Sequence, residues 1–130
     1  MSLELEAARQ LLLEQVPHWQ GQIDEVLGKG LQLDVDPVGL PRDVERLEQF
    51  AFTALGALRD AMSDAVLRDP KFGPFFRSRV ARVLVRNDDA APTSRFDFDA
   101  GRRLLVVITT PKLKQWVDFL GLQEFFQKEL

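Results

Sequence analysis

At 130 residues the chain has the size of one domain, able to bury about two-thirds of the surface its unfolded form exposes. It has no cysteine, which excludes disulfides and thiolate metal sites, and no apolar run approaches the length of a membrane span. A net charge of -3 and a pI near 5.2 fall short of the basic character of a nucleic-acid binder.

Ser2 suits a helix N-cap, with Glu4 and Glu6 in the first turn, and Leu5, Ala8, Leu11, Leu12 and Val16 follow at helical spacing. Pro17 ends or kinks that helix. Trp19, Ile23, Val26 and Leu27 then mark a second short helix, which Gly28 terminates. The start of the chain is acidic and amphipathic and lacks the basic stretch of a signal peptide, so a cytoplasmic location is expected.

Gly30 opens an alternating segment with Leu31, Leu33 and Val35 on one face and Gln32, Asp34 and Asp36 on the other, the pattern of a half-buried strand. The longest helical pattern follows, from Asp43 to about Arg68, with Pro41 suited to its first turn. Val44, Leu47, Ala51, Ala54, Leu55, Leu58, Met62, Ala65 and Val66 form its apolar stripe, widened by Phe50. Glu45, Glu48, Arg59, Ser63 and Arg68 occupy the wet side. Asp69-Pro70 stops it.

Lys71-Phe72-Gly73-Pro74 reads as a turn, and Phe75, Phe76 and Val80 as a short helix started by Pro74. Period-two alternation then places Ala81, Val83 and Val85 inward, with Arg82, Leu84 and Arg86 outward. A polar loop, residues 87–93, leads to a strand with Phe96 and Phe98 inward, and Ala100-Gly101 makes a hairpin turn. The returning strand, Arg103 to Thr109, is apolar on both faces, as a central strand is. Thr110-Pro111 has the form of a helix start, with Leu113, Trp116, Val117 and Leu120 as the buried stripe and Leu122, Phe125 and Phe126 continuing it.

The predicted order is α-α-β-α-β-β-β-α. Residues 1–130 form one α+β domain, a small, mostly antiparallel sheet of about four strands packed against the long central helix and the N- and C-terminal helices. A parallel crossover between the first two strands is compatible with the helix that joins them.

Chemistry leaves few marks. The chain has no phosphate-binding glycine loop and no nucleophile elbow, and its one histidine, His18, stands beside Trp19 just past a proline. No catalytic residue and no cofactor are assigned. Asp97-Phe98-Asp99-Ala100-Gly101 departs from a calcium loop, with its glycine one residue early and Ile108 in place of the terminal glutamate. Asp34, Asp36, Asp88 and Asp89 are the carboxylates from which a divalent-metal enzyme would draw.

Residues 1–67 hold 12 acids and 5 bases, whereas residues 68–103 hold 9 bases and 5 acids. Arg77, Arg79, Arg82, Arg86, Arg102 and Arg103 are therefore a candidate anion-binding patch, set against cross-strand pairing with Asp97 and Asp99 of the neighbouring strand. Nucleic acid is not the expected partner. The apolar surplus of Leu105, Val107, Leu122, Phe125 and Phe126 marks a candidate protein interface. The leading expectation is a non-catalytic domain that binds protein or itself, with a homodimer through the C-terminal region. The alternatives are the aspartate metal enzyme and weak nucleic-acid binding by the 77–103 segment.

Overall fold

The computed structural model describes residues 2–130. They form an α+β domain whose helices lie on one side of a four-stranded sheet. None of these helices is long and apolar enough to cross a membrane.

Helix α1 spans Leu3–Glu14, and the Ser2 hydroxyl accepts the Leu5 N–H at 3.1 Å, satisfying a donor that has no partner within the helix. Helix α2, Val16–Leu27, follows with Pro17 in its first turn and ends at Gly28, whose φ of 86° favours a residue without Cβ. It buries Trp19, Ile23 and Leu27. Strand β1 is Gln32–Val35.

The central helix departs from an uninterrupted pattern. Asp43 caps α3, Val44–Phe50, by accepting the Arg46 N–H, so Pro41 lies before the helix rather than in its first turn. A π-helical turn, Ala51–Leu55, then leads into α4, Gly56–Arg68. The wider turn alters the i→i−4 ladder, and the Thr53 carbonyl receives the Trp116 N–H at 3.0 Å from a distant loop. The expected stripe is otherwise buried from Leu47 through Ala65, and Val44 and Val66 are half-buried. Helix α5, Phe72–Arg79, starts two residues ahead of Pro74.

Strands β2 (Arg82–Asn87), β3 (Arg95–Asp99) and β4 (Leu104–Thr109) complete a sheet of order β1-β2-β4-β3. The expectation of a mostly antiparallel sheet is corrected here. β1 pairs with β2 and β2 with β4 in parallel, and only β3–β4 is antiparallel. The α3–α5 crossover brings the chain back to start β2 in the direction of β1. After β2 the chain passes to the far edge as β3, and β4 returns between them. That central place explains why β4 is apolar on both faces.

The helix expected from Thr110 is also corrected. Residues 110–118 form turns, and α6 is Phe119–Lys128, capped by Asp118. The Thr110 hydroxyl is engaged by donating to the Ala91 carbonyl at 2.7 Å, and the Trp116 amide is drawn to Thr53. Trp116 and Val117 still fill the core from this loop, with Trp116 edge-on to Phe50 at 5.8 Å, whereas Leu120 points into solvent.

Leu33, Val35, Val83, Val85, Leu105 and Val107 form the buried face of the sheet. Phe72, Phe76 and Phe126 stack into an aromatic cluster beneath the helices, with ring centroids 5.1–5.4 Å apart.

Candidate functional site

The strand register places the sheet's outward residues in rows. Asp34, Leu84, Val106 and Asp97 lie side by side across the four strands, and Gln32, Arg82, Leu104 and Asp99 form the next row. Leu84, Leu104 and Val106 are half-buried and reach the surface, while Ile108 is covered in a shallow cleft that Arg86 and Arg95 help to line. The sequence reading singled out Leu105 and Val107. These turn inward and are covered by the chain's own helices, and their neighbours Leu104 and Val106 face out.

The rest of the candidate interface is likewise intramolecular. Leu122 and Phe126 are buried, and Phe125 is half-buried with its ring 5.8 Å from Phe96. The tail therefore folds onto its own domain instead of standing free.

The arginines divide among separate tasks. On the outward sheet face Arg82 pairs with Asp34, and Arg86 with Asp36 at 2.9 Å, so the cross-strand partners come from the β1 side and not from Asp97 and Asp99 as expected. Arg77 donates to the Lys29 carbonyl, and Arg103 donates to the Arg77 carbonyl at 2.7 Å. Arg79 lies over the Phe75 ring, and Arg102 is 3.6 Å from Asp99. The six span a sheet face, the last turn of α5 and the β3–β4 turn, with their guanidiniums directed largely at groups of the chain itself.

The aspartates are similarly engaged. Asp88 accepts the Ala90 N–H, and Asp89 accepts from the Asn87 amide at 2.8 Å. Among the described residues no three His, Cys, Asp or Glu side chains gather where they could hold a metal ion. His18 is exposed, with its ring edge-on to Trp19.

Asp36 is held by two partners, the Val38 N–H and Arg86. The Val38 N–H bond to its carboxylate, followed by its contact with Arg86, outweighs desolvation and lowers its pKa below the usual carboxylate value. A lowered folded-state pKa contributes stability above the unfolded value of 3.8, which is lost as pH falls through the folded one. Asp36→Asn is therefore expected to lower stability at neutral pH and to flatten its decline below about pH 4. Urea denaturation across pH reads this as converging midpoints at low pH; parallel curves would refute it.

Polar residues at the carboxyl ends of the parallel strands, where α/β sheets often bind ligands, were not singled out by the sequence. Asn87, Ser94, Thr109 and Thr110 are buried there. The Asn87 amide donates to the Gly39 carbonyl at 3.0 Å, its oxygen accepts from Thr109, and Ser94 Oγ accepts the Asp118 N–H. Gly39 has a φ of 85°, and a Cβ there would stand 2.7 Å from the Asn87 carbonyl. These groups satisfy one another and tie loops to the sheet.

The two sheet edges differ. At β1, Gln20 places its amide like an extra peptide unit, donating to the Leu31 carbonyl and accepting the Leu33 N–H, both at 2.7 Å. At β3 the geometry follows from its neighbour. Arg82 N–H reaches Arg103 O and Asp88 N–H reaches Thr109 O, so the odd-numbered residues of β4 turn their backbone groups to β2. Leu104, Val106 and Ile108 thus serve β3, where they stand opposite Asp99, Asp97 and Arg95. The N–H and C=O groups of Phe96 and Phe98 consequently point away from the sheet. Among the described residues no other backbone group reaches them.

Comparison with protein-family models, curated proteins and solved structures finds no significant match to this chain.

Proposed function

We propose that this domain acts by binding protein rather than by catalysis, and that its first partner is a second copy of itself. The observation that carries this reading is the uncovered side of the sheet. Its helices pack on one face, and on the other Leu84, Leu104 and Val106 reach the surface between charges already fixed by Arg82–Asp34 and Arg86–Asp36. Fixed side chains have little rotamer freedom left to lose on contact, which lowers the entropic cost of association. The apolar belt lies beside β3, whose far edge is unpaired, so a surface and a row of free hydrogen-bonding groups occur on one side of the sheet. The tail residues Phe125 and Phe126, which the sequence offered as the interface, pack within the domain instead, so the reading rests on the sheet and not on them.

The test is molar mass by light scattering over a micromolar concentration series. The expected result is a mass that rises towards twice the monomer with concentration. A monomer mass throughout would overturn the self-association reading.

A further inference from the structure

Resting on that self-association, we infer that two copies join β3 to β3 in antiparallel fashion, with the two-fold axis beside Phe96, into one eight-stranded sheet. Three independent features lead there.

The first is the contrast between edges. Gln20 occupies the Leu31 carbonyl and the Leu33 N–H at the start of β1, whereas the N–H and C=O groups of Phe96 and Phe98 on β3 have no partner among the described residues. Strand addition needs such an alternating row of free donors and acceptors. In the proposed register Phe96 exchanges two backbone bonds with its copy, and Phe98 faces Ser94 of the other chain, which continues the same alternation.

The second is charge. Among the described residues, the outward carboxylates Asp34, Asp36 and Asp99 each have an arginine within ion-pair distance, while Arg95 and Asp97 have no such partner. Both are exposed, two positions apart on the free strand. Antiparallel pairing centred on Phe96 sets Arg95 opposite Asp97 of the second copy, twice, with no like charges facing. Shifting the centre to Asp97 would instead place the two Asp97 carboxylates against each other, which is unfavourable across strands.

The third is continuity. The register joins the two outward faces, so the Leu84, Leu104 and Val106 belts of both copies lie on one surface. A closed two-fold contact of this kind uses the same strand on both sides and leaves neither β3 edge open to further chains.

The test is a charge exchange read by sedimentation. Arg95→Glu alone and Asp97→Lys alone each place like charges opposite one another in both halves of the contact, and each is expected to sediment as a monomer. Mixed in equal amounts, the two variants set the introduced carboxylate at 95 against the introduced ammonium at 97, and the native Asp97 against the native Arg95. The mixture is expected to regain the dimer mass, which also shows that both variants are folded. A native chain that stays monomeric overturns the self-association reading and this inference together. If the native chain dimerises but either single variant still dimerises alone, the inference fails and self-association stands on another surface. Failure of the mixture to recover the dimer, with both variants showing native circular dichroism, would likewise overturn it.

Discussion

Leu55→Asp is expected to leave the chain unfolded at neutral pH. Leu55 closes the π-helical turn of the central helix and is 1% exposed, among side chains that contain no partner for a carboxylate. Truncating a buried leucine costs about 2–5 kcal/mol, and taking an unpaired charge out of water adds several more. A domain of this size is stable by roughly 5–15 kcal/mol in total, so the sum consumes most or all of it. Far-UV circular dichroism and a thermal melt read the outcome. A Leu55→Asp chain that melts within a few degrees of the native protein would mean that the helix presents a different face to the core.

Phe126→Ala is expected to lower stability by about 3–5 kcal/mol, which moves the melting temperature by on the order of 10–20 °C. Phe126 lies four residues from the C-terminus, where chain ends usually fray. It is nevertheless 5% exposed, with its ring 5.1 Å from Phe72 and edge-on to Phe76. The buried Gln123 amide holds the same helix by donating to the Ala61 carbonyl at 2.7 Å. Phe125→Ala, at a half-buried site against Phe96, should cost less. Differential scanning calorimetry separates the two. Equal, small shifts for both would show that the tail contributes little to the core and is free to serve as an interface.

The contrast between these rings shows where sequence reasoning succeeds. Spacings of three and four residues place Leu47, Leu55, Leu58 and Met62 on one helical stripe, and all are buried. Period-two alternation likewise sorts Val83 and Val85 from Arg82 and Arg86. Side-chain direction is a local property of the backbone, so hydrophobic patterning carries it directly. Helix ends are legible for the same reason where the capping group is a neighbour, as at Ser2.

Thr110-Pro111 has the same local signature and does not start a helix. Its hydroxyl accepts the Lys112 N–H at 3.2 Å as a cap would, but it also donates to the Ala91 carbonyl, and the Trp116 amide is drawn to Thr53, so no helix follows. The continuous stripe from Leu47 to Ala65 also conceals the π turn, because one wider turn shifts the pattern too little to interrupt it. Apolarity marked β4 as central without assigning its faces to the core or the surface. Leu105 and Val107 are covered while Leu104 and Val106 are not, because the helices pack on one side of the sheet.

The sequence by itself determined the α+β class, the single central helical stripe, the four strands and the faces that β1, β2 and β3 turn inward, because these follow from residue periods of 3.6 and 2. Only the tertiary structure decided the order β1-β2-β4-β3 and its mostly parallel pairing. Alternation records which way a side chain points and says nothing of which strand lies beside it. The same holds at the candidate site. The amide of Gln20 covers the start of one edge, the Phe96 and Phe98 backbones leave the other open, and Arg95 and Asp97 lack the partners their neighbours have. Each is a relation between residues far apart in the chain, and it exists only once the chain has folded.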